Sequence, residues 1–260
     1  MKKSIALVFS GLFASALFAG MNNVVITFAT GANDAYADGT PVAKGECYAL
    51  VWTPGDATFA GFNSDGTAVA PSKVVIKAPV AEPGVSRNIQ FQVKDDEGYI
   101  KNNFPSGTWG VYLLDTRVYA TEEVRVLVDG EESVQKQVVT DAAGNKVVAG
   151  VGGAVKGYGA VASEVSASIG SATAAGAVAT DALSADLTPP TITDIKVRDG
   201  VVYLRLSGTK KDVAYGVGAG TTPSALKPTD DRPVVGDASG ETLIVTPAKG
   251  ASGFYQGIVR

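Results

Sequence analysis

Ile192-Thr-Asp-Ile-Lys-Val-Arg-Asp-Gly-Val-Val-Tyr-Leu-Arg-Leu206 decides the fold class. Ile192 to Val197 and Val201 to Leu206 flank Asp199-Gly200, a dipeptide suited to the left-handed backbone of a two-residue hairpin turn, and apolar residues recur with a period of two after it. The reading is two antiparallel strands, with Val202, Leu204 and Leu206 facing a core and Tyr203 and Arg205 facing outward. Thr188-Pro-Pro190 holds the chain extended on entry. Further strands are expected at Val213 to Val217, Leu243 to Val245 and Phe254 to Val259. Residues 189–260 thus form a C-terminal β unit of roughly seventy residues, near the lower size limit for an independent core.

The same period runs through the N-terminal half. Ile89, Phe91 and Val93 alternate with Gln90, Gln92 and Lys94. Val24 to Phe28, Tyr48 to Trp52 and Trp109 to Leu114 are apolar on both faces, as strands inside a sandwich are. Val74 to Ile76, Val124 to Val128 and Val134 to Val139 complete the set, separated by turn signals at Asp38-Gly39, Asp65-Gly66, Asp129-Gly130 and Gly144-Asn145. The fold class is all-β. An antiparallel sandwich of jelly-roll or immunoglobulin-like type is expected over 21–149, and a small second sandwich over 189–260. The double-proline entry and hairpin of the second unit resemble immunoglobulin-like and fibronectin-type modules. That resemblance implies a fold and no functional residue.

Between these units, residues 150–188 are largely Ala, Gly, Ser, Val and Thr, with Lys156 and Tyr158 as exceptions. They read as a linker with transient helix over Val161 to Leu183, where alanines favour helix and Gly170 and Gly176 oppose it.

The first twenty residues read as a cleavable signal peptide. Lys2 and Lys3 precede an apolar run from Ile5 to Phe18, and small residues cluster towards its end at Ala14, Ala16, Ala19 and Gly20. The run is too short to span a bilayer. Export to the periplasm, cell surface or medium is the expectation, with no transmembrane segment after cleavage. Losing the two lysines takes the formal charge from −4 to about −6. Acidic balance and the lack of a basic stripe disfavour nucleic acid. One cysteine, Cys47, rules out an internal disulfide, and its apolar surroundings read as core. An outer-membrane barrel fits poorly, because most strands fall short of about ten residues.

The chain contains no histidine, which removes histidine triads, histidine-ligated metals and histidine general bases together. Carboxylate chemistry survives, through Asp95, Asp96, Glu97, Asp115, Glu122 and Glu123, but these acids sit beside turns and strands, where carboxylates commonly solvate a surface. No catalytic residue is assigned and no cofactor is expected. Calcium is the alternative weighed, at Asp34, Asp38 and Glu46. Their spacing imitates half of a calcium loop, but Tyr36 stands where an oxygen ligand is needed. The glycines of Gly216-Val-Gly218-Ala-Gly220 lack the lysine of a phosphate loop.

Aromatic residues in expected loops supply the binding candidates: Tyr36, Phe59, Phe62, Tyr99 and Phe104. Each ring either stacks on a sugar or protein partner or caps the sandwich. The functional expectation is an exported, non-catalytic structural, adhesion or glycan-binding module. Its partner is a cell-envelope glycan or protein, or another copy. The alternatives are a fibre or surface-layer subunit joined through strand edges, and a carboxylate-dependent glycan-active enzyme.

Overall fold

The hairpin that opened the reading is present: Thr191–Arg198 and Val201–Ser207 pair antiparallel, Lys196 opposite Tyr203 and Val197 opposite Val202. Asp199 and Gly200 both take left-handed backbone, at φ 51° and 76°. A computed structural model describes residues 23–30, 35–80, 89–94, 103–104, 106–165, 172–174, 178–179, 182–229, 232–248 and 253–260. The expected signal peptide, Asp34, Tyr99 and the acids at 95–97 lie outside them.

In chain order the strands are β1 (Asn23–Thr30), β2 (Ala35–Tyr36), β3 (Cys47–Pro54), β4 (Lys73–Pro79), β5 (Ile89–Lys94), β6 (Gly107–Asp115) and β7 (Val118–Tyr119). They continue with β8 (Thr121–Val128), β9 (Glu131–Val138), β10 (Val148–Gly150), β11 (Gly157–Val165), β12 (Ala172–Ala174), β13 (Val178–Ala179) and β14 (Ala182–Leu183). The last are β15 (Thr191–Arg198), β16 (Val201–Ser207), β17 (Ala214–Gly220), β18 (Lys227–Pro228), β19 (Val234–Val235), β20 (Glu241–Pro247) and β21 (Phe254–Val259). The all-β sandwich expectation holds.

Contacts divide the chain into two units. The first comprises Met1–Ala60, Ala68–Leu114 and Tyr158–Asp181. Its sheets run β12-β1-β5 and β11-β6-β3-β4, with β3 antiparallel to both neighbours so that Trp52 faces Trp109 and Leu50 faces Val111. Tyr48, Leu50, Trp52, Trp109, Val111, Leu113 and Val161 form its core.

The second unit comprises Gly61–Thr67, Asp115–Gly157 and Ala182–Arg260. One sheet is β15-β16-β20; the other is β18-β17-β19-β9-β8, with β21 also on β17. Val202, Leu204 and Leu206 from β16 meet Ile244 from β20 and Val213, Tyr215, Val217 and Val234 from the opposing sheet. Side chains from two sheets closing on one core define a sandwich.

These units do not follow the expected boundaries at 149 and 189. β8 and β9 fall within the expected N-terminal sandwich, yet Gln137 on β9 pairs with Val234 on β19 and the Gln135 amide donates to the Leu243 carbonyl at 2.8 Å. The linker is corrected as well. Gly157–Val165 is a strand, and Val155, Lys156, Ser184 and Leu187 are buried. Alanine and glycine carry little strand preference of their own, so pairing partners decide the conformation. Cys47 is half-buried where a core position was expected, its thiol 3.8 Å from the Gly45 carbonyl. Burial, then the Glu46 charge, push the thiol upward, so it is a poor nucleophile at neutral pH.

Candidate functional site

Strand alternation on β6 sends Trp109, Val111 and Leu113 into the first unit's core and leaves Gly110 and Tyr112 on the other face. Two positions apart on one face, they are neighbours. A Cβ added to Gly110 would lie 2.7 Å from Tyr112 Cε2 and 2.9 Å from its hydroxyl, so the ring folds back over the bare backbone there. Glycine is what lets the phenol lie along the sheet.

Phe59 and Tyr158 complete the group. Phe59 comes from the segment after β3 and Tyr158 from β11, the strand beside β6. Phe59 stacks tilted on Tyr112 with centroids 4.3 Å apart; Tyr158 meets Phe59 edge-on at 5.8 Å and Tyr112 at 6.1 Å. All three rings are half-buried, so each keeps one part packed and another reachable. Such geometry presents apolar faces next to phenolic donors, which is the chemistry a sugar ring offers in complement.

Burial pushes the Tyr112 phenol up to about 12, with Tyr158 adding to the effect. The Tyr158 phenol is raised by burial too. A raised folded value means the native state holds its proton better than the unfolded chain does. The resulting stabilisation is complete below about pH 10 and is lost as pH rises towards 12. Ultraviolet titration should show one tyrosinate appearing only near pH 12, and Tyr112→Phe should remove it together with part of the stability loss over that interval.

The other aromatic candidates separate clearly. Tyr36 and Phe62 are buried, at 2% and 0% exposure. Tyr36 donates its hydroxyl to Glu46 Oε2 at 3.0 Å. Phe104 packs edge-on against Trp52 and Trp109 at 5.5 and 5.4 Å, partly buried against the core. Of the described loop rings, Phe59 is the one joined to a surface aromatic group. Tyr112 and Tyr158 escaped the sequence reading because one was placed inside a strand and the other in the linker, and only the β6–β11 neighbourhood unites them.

For the calcium candidates, Asp38 Oδ1 accepts from the Thr40 amide at 3.0 Å and its hydroxyl at 2.6 Å, a local turn. Glu46 is fully buried, with Oε1 accepting from the Cys47 amide at 3.0 Å. Among the described residues, no group of three or more Cys, Asp or Glu side chains gathers as a metal site would require. Of the weighed carboxylates, Asp115 pairs with buried Arg117, Glu122 pairs with Arg232, and Glu123 is exposed.

The second unit carries a polar cleft of about 290 Å³ lined by Asp129, Glu131, Asp194, Lys196, Tyr203 and Arg205 among others. Lys196 donates to Asp129 Oδ2 at 2.6 Å. That hydrogen bond, then the lysine charge, hold the Asp129 carboxyl below its ordinary value. A general acid for glycoside cleavage needs the opposite displacement. Comparison of the chain with protein families, curated proteins and solved structures finds no match.

Proposed function

We propose that this chain is an exported, non-catalytic β-sandwich module of the cell surface or periplasm that contacts an envelope glycan through Phe59, Tyr112 and Tyr158. The observation that carries the reading is the half-buried aromatic group laid over Gly110 on a rigid sheet. Rigid rings lose little entropy on binding, and a β-sheet holds their spacing fixed. The export signal supports the location.

Binding of the purified protein to an array of envelope polysaccharides tests it. Saturable binding to at least one glycan is expected, and Tyr112→Ala should weaken it about tenfold or more, corresponding to at least ~1.4 kcal/mol. Full retention of binding in the Tyr112→Ala and Phe59→Ala proteins would place the contact elsewhere.

One observation favours a second reading, a subunit that assembles through strand edges. β15 lies at the edge of its sheet, and among the described residues one side of this eight-residue strand carries no partner in that sheet. Ile195 and Val197 lie opposite Leu204 and Val202, on the core-facing side by register, yet are 46% and 64% exposed. An exposed, apolar edge invites strand addition. Concentration-dependent growth in light scattering, together with silence on the glycan array, would put this reading first.

A further inference from the structure

In the second unit, three cationic side chains converge on one ring. Arg117 and Tyr119 belong to the segment leading into β8, Lys146 follows the turn at Asp141–Asn145, and Lys156 immediately precedes β11. Lys146 Nζ lies 4.9 Å from the Tyr119 centroid, Lys156 Nζ 5.0 Å and Arg117 Cζ 5.7 Å. We propose that Arg117, Lys146 and Lys156 around Tyr119 bind a tetrahedral oxyanion of the phosphate or sulfate class.

The arrangement is held from below. Arg117 is 5% exposed and fixed by Asp115, whose Oδ1 accepts from Nε at 3.0 Å and Oδ2 from Nη2 at 2.8 Å. Lys156 is 6% exposed and donates to the Arg117 carbonyl. Lys146 is half-buried, within reach of a solute. The Arg260 guanidinium adds its charge to the surroundings of Lys146, and its Nη1 donates to the Thr229 carbonyl at 3.0 Å.

Charge is the reason to expect an anion. Burial first, then the charges of Arg260, Arg117 and Lys156 in that order, together lower the Lys146 ammonium to about 8, with the Asp115 carboxylate opposing them. Positive charge collected in partly desolvated surroundings is unfavourable by itself, and an anion with several acceptor oxygens offsets it. Cation–π contact with Tyr119 compensates a fraction of this. A single oxyanion fits better than a polyanion, because the chain as a whole carries a net charge of −4.

Calorimetric titration of the full chain at pH 7 with sodium phosphate, sodium sulfate and sodium chloride at matched ionic strength is the test. Saturable binding of phosphate and sulfate but not chloride is expected, weakened at least tenfold by Lys146→Gln. A parallel arm with glucose 6-phosphate against glucose separates a free ion from one carried on a saccharide: tighter binding of the sugar phosphate than of inorganic phosphate assigns the carried form, and equal binding assigns the free ion. Sulfate keeps its charge at every pH used, so its affinity should fall as pH rises through about 8, where Lys146 deprotonates among Arg117, Lys156, Arg260, Asp115 and Tyr119. In the unsubstituted protein, sulfate should slow acylation of the Lys146 amine, a readout independent of folding of the variant. Equal response to sulfate, phosphate and chloride overturns the proposal, as does unchanged affinity in a folded Lys146→Gln protein.

Discussion

Asp115→Ala is expected to lower unfolding free energy by about 3–5 kcal/mol, the loss associated with removing one partner of a buried ion pair. Both side chains of the Asp115–Arg117 pair are under a tenth exposed, and the carboxylate also accepts from the Arg117 amide at 3.1 Å. Alanine therefore leaves a guanidinium that the fold has already desolvated, beside Lys146 and Lys156. A domain's whole stability is about 5–15 kcal/mol, so the variant should sit near its unfolding threshold. Urea unfolding followed by circular dichroism measures this. Replacing both residues by apolar ones of similar size should recover much of the loss, since the cost lies in the orphaned charge and not in the missing attraction. A loss below about 1 kcal/mol would mean that water reaches the pair.

The second large effect belongs to the first unit. Leu50 is fully buried on β3, the strand with β6 on one side and β4 on the other. Leu50→Ala should cost about 2–5 kcal/mol, through lost transfer energy and the cavity left between Val111 and Ile76, its cross-strand partners. Both tryptophans of the chain, Trp52 and Trp109, lie in this unit and face each other across the β3–β6 ladder two residues away. Their fluorescence should follow the shifted transition directly. Leu127→Ala supplies the contrast: at 61% exposure on the β8–β9 hairpin, it should change stability by less than about 0.5 kcal/mol.

What the sequence disclosed was whatever a local signal could carry. Asp199-Gly200 between two strand-like runs, the second strictly alternating, specified the hairpin, because turn backbone and side-chain period are both short-range properties. The turns at Asp38-Gly39, Asp65-Gly66 and Asp129-Gly130 were legible for the same reason, and Gly39, Gly66 and Gly130 all take positive φ. The Gln137–Val234 pairing was not legible, since two residues nearly a hundred positions apart leave no mark on their neighbours. Gly157–Val165 misled for a different reason: its small residues look indifferent, and a strand there exists through its partners. Both candidate sites belong to this second kind. Phe59 was visible as a loop aromatic, but Tyr112 and Tyr158 join it only once β6 and β11 are adjacent. Arg117, Lys146 and Lys156 look like ordinary surface charges until three separate segments bring them to Tyr119.

The discontinuous make-up of the second unit bears on how the chain acquires its fold. β8 and β9 emerge early in synthesis, but the strands that complete their sheet, β17, β19 and β21, come from the last fifty residues. Until Phe254–Val259 has left the ribosome, β17 lacks the partner that pairs with it from Tyr215 to Gly220. Valines on the β8–β9 hairpin meanwhile wait uncovered. High contact order of this sort slows folding and lengthens the exposure of unpaired edges, so this chain favours a holding chaperone more than its length alone would suggest.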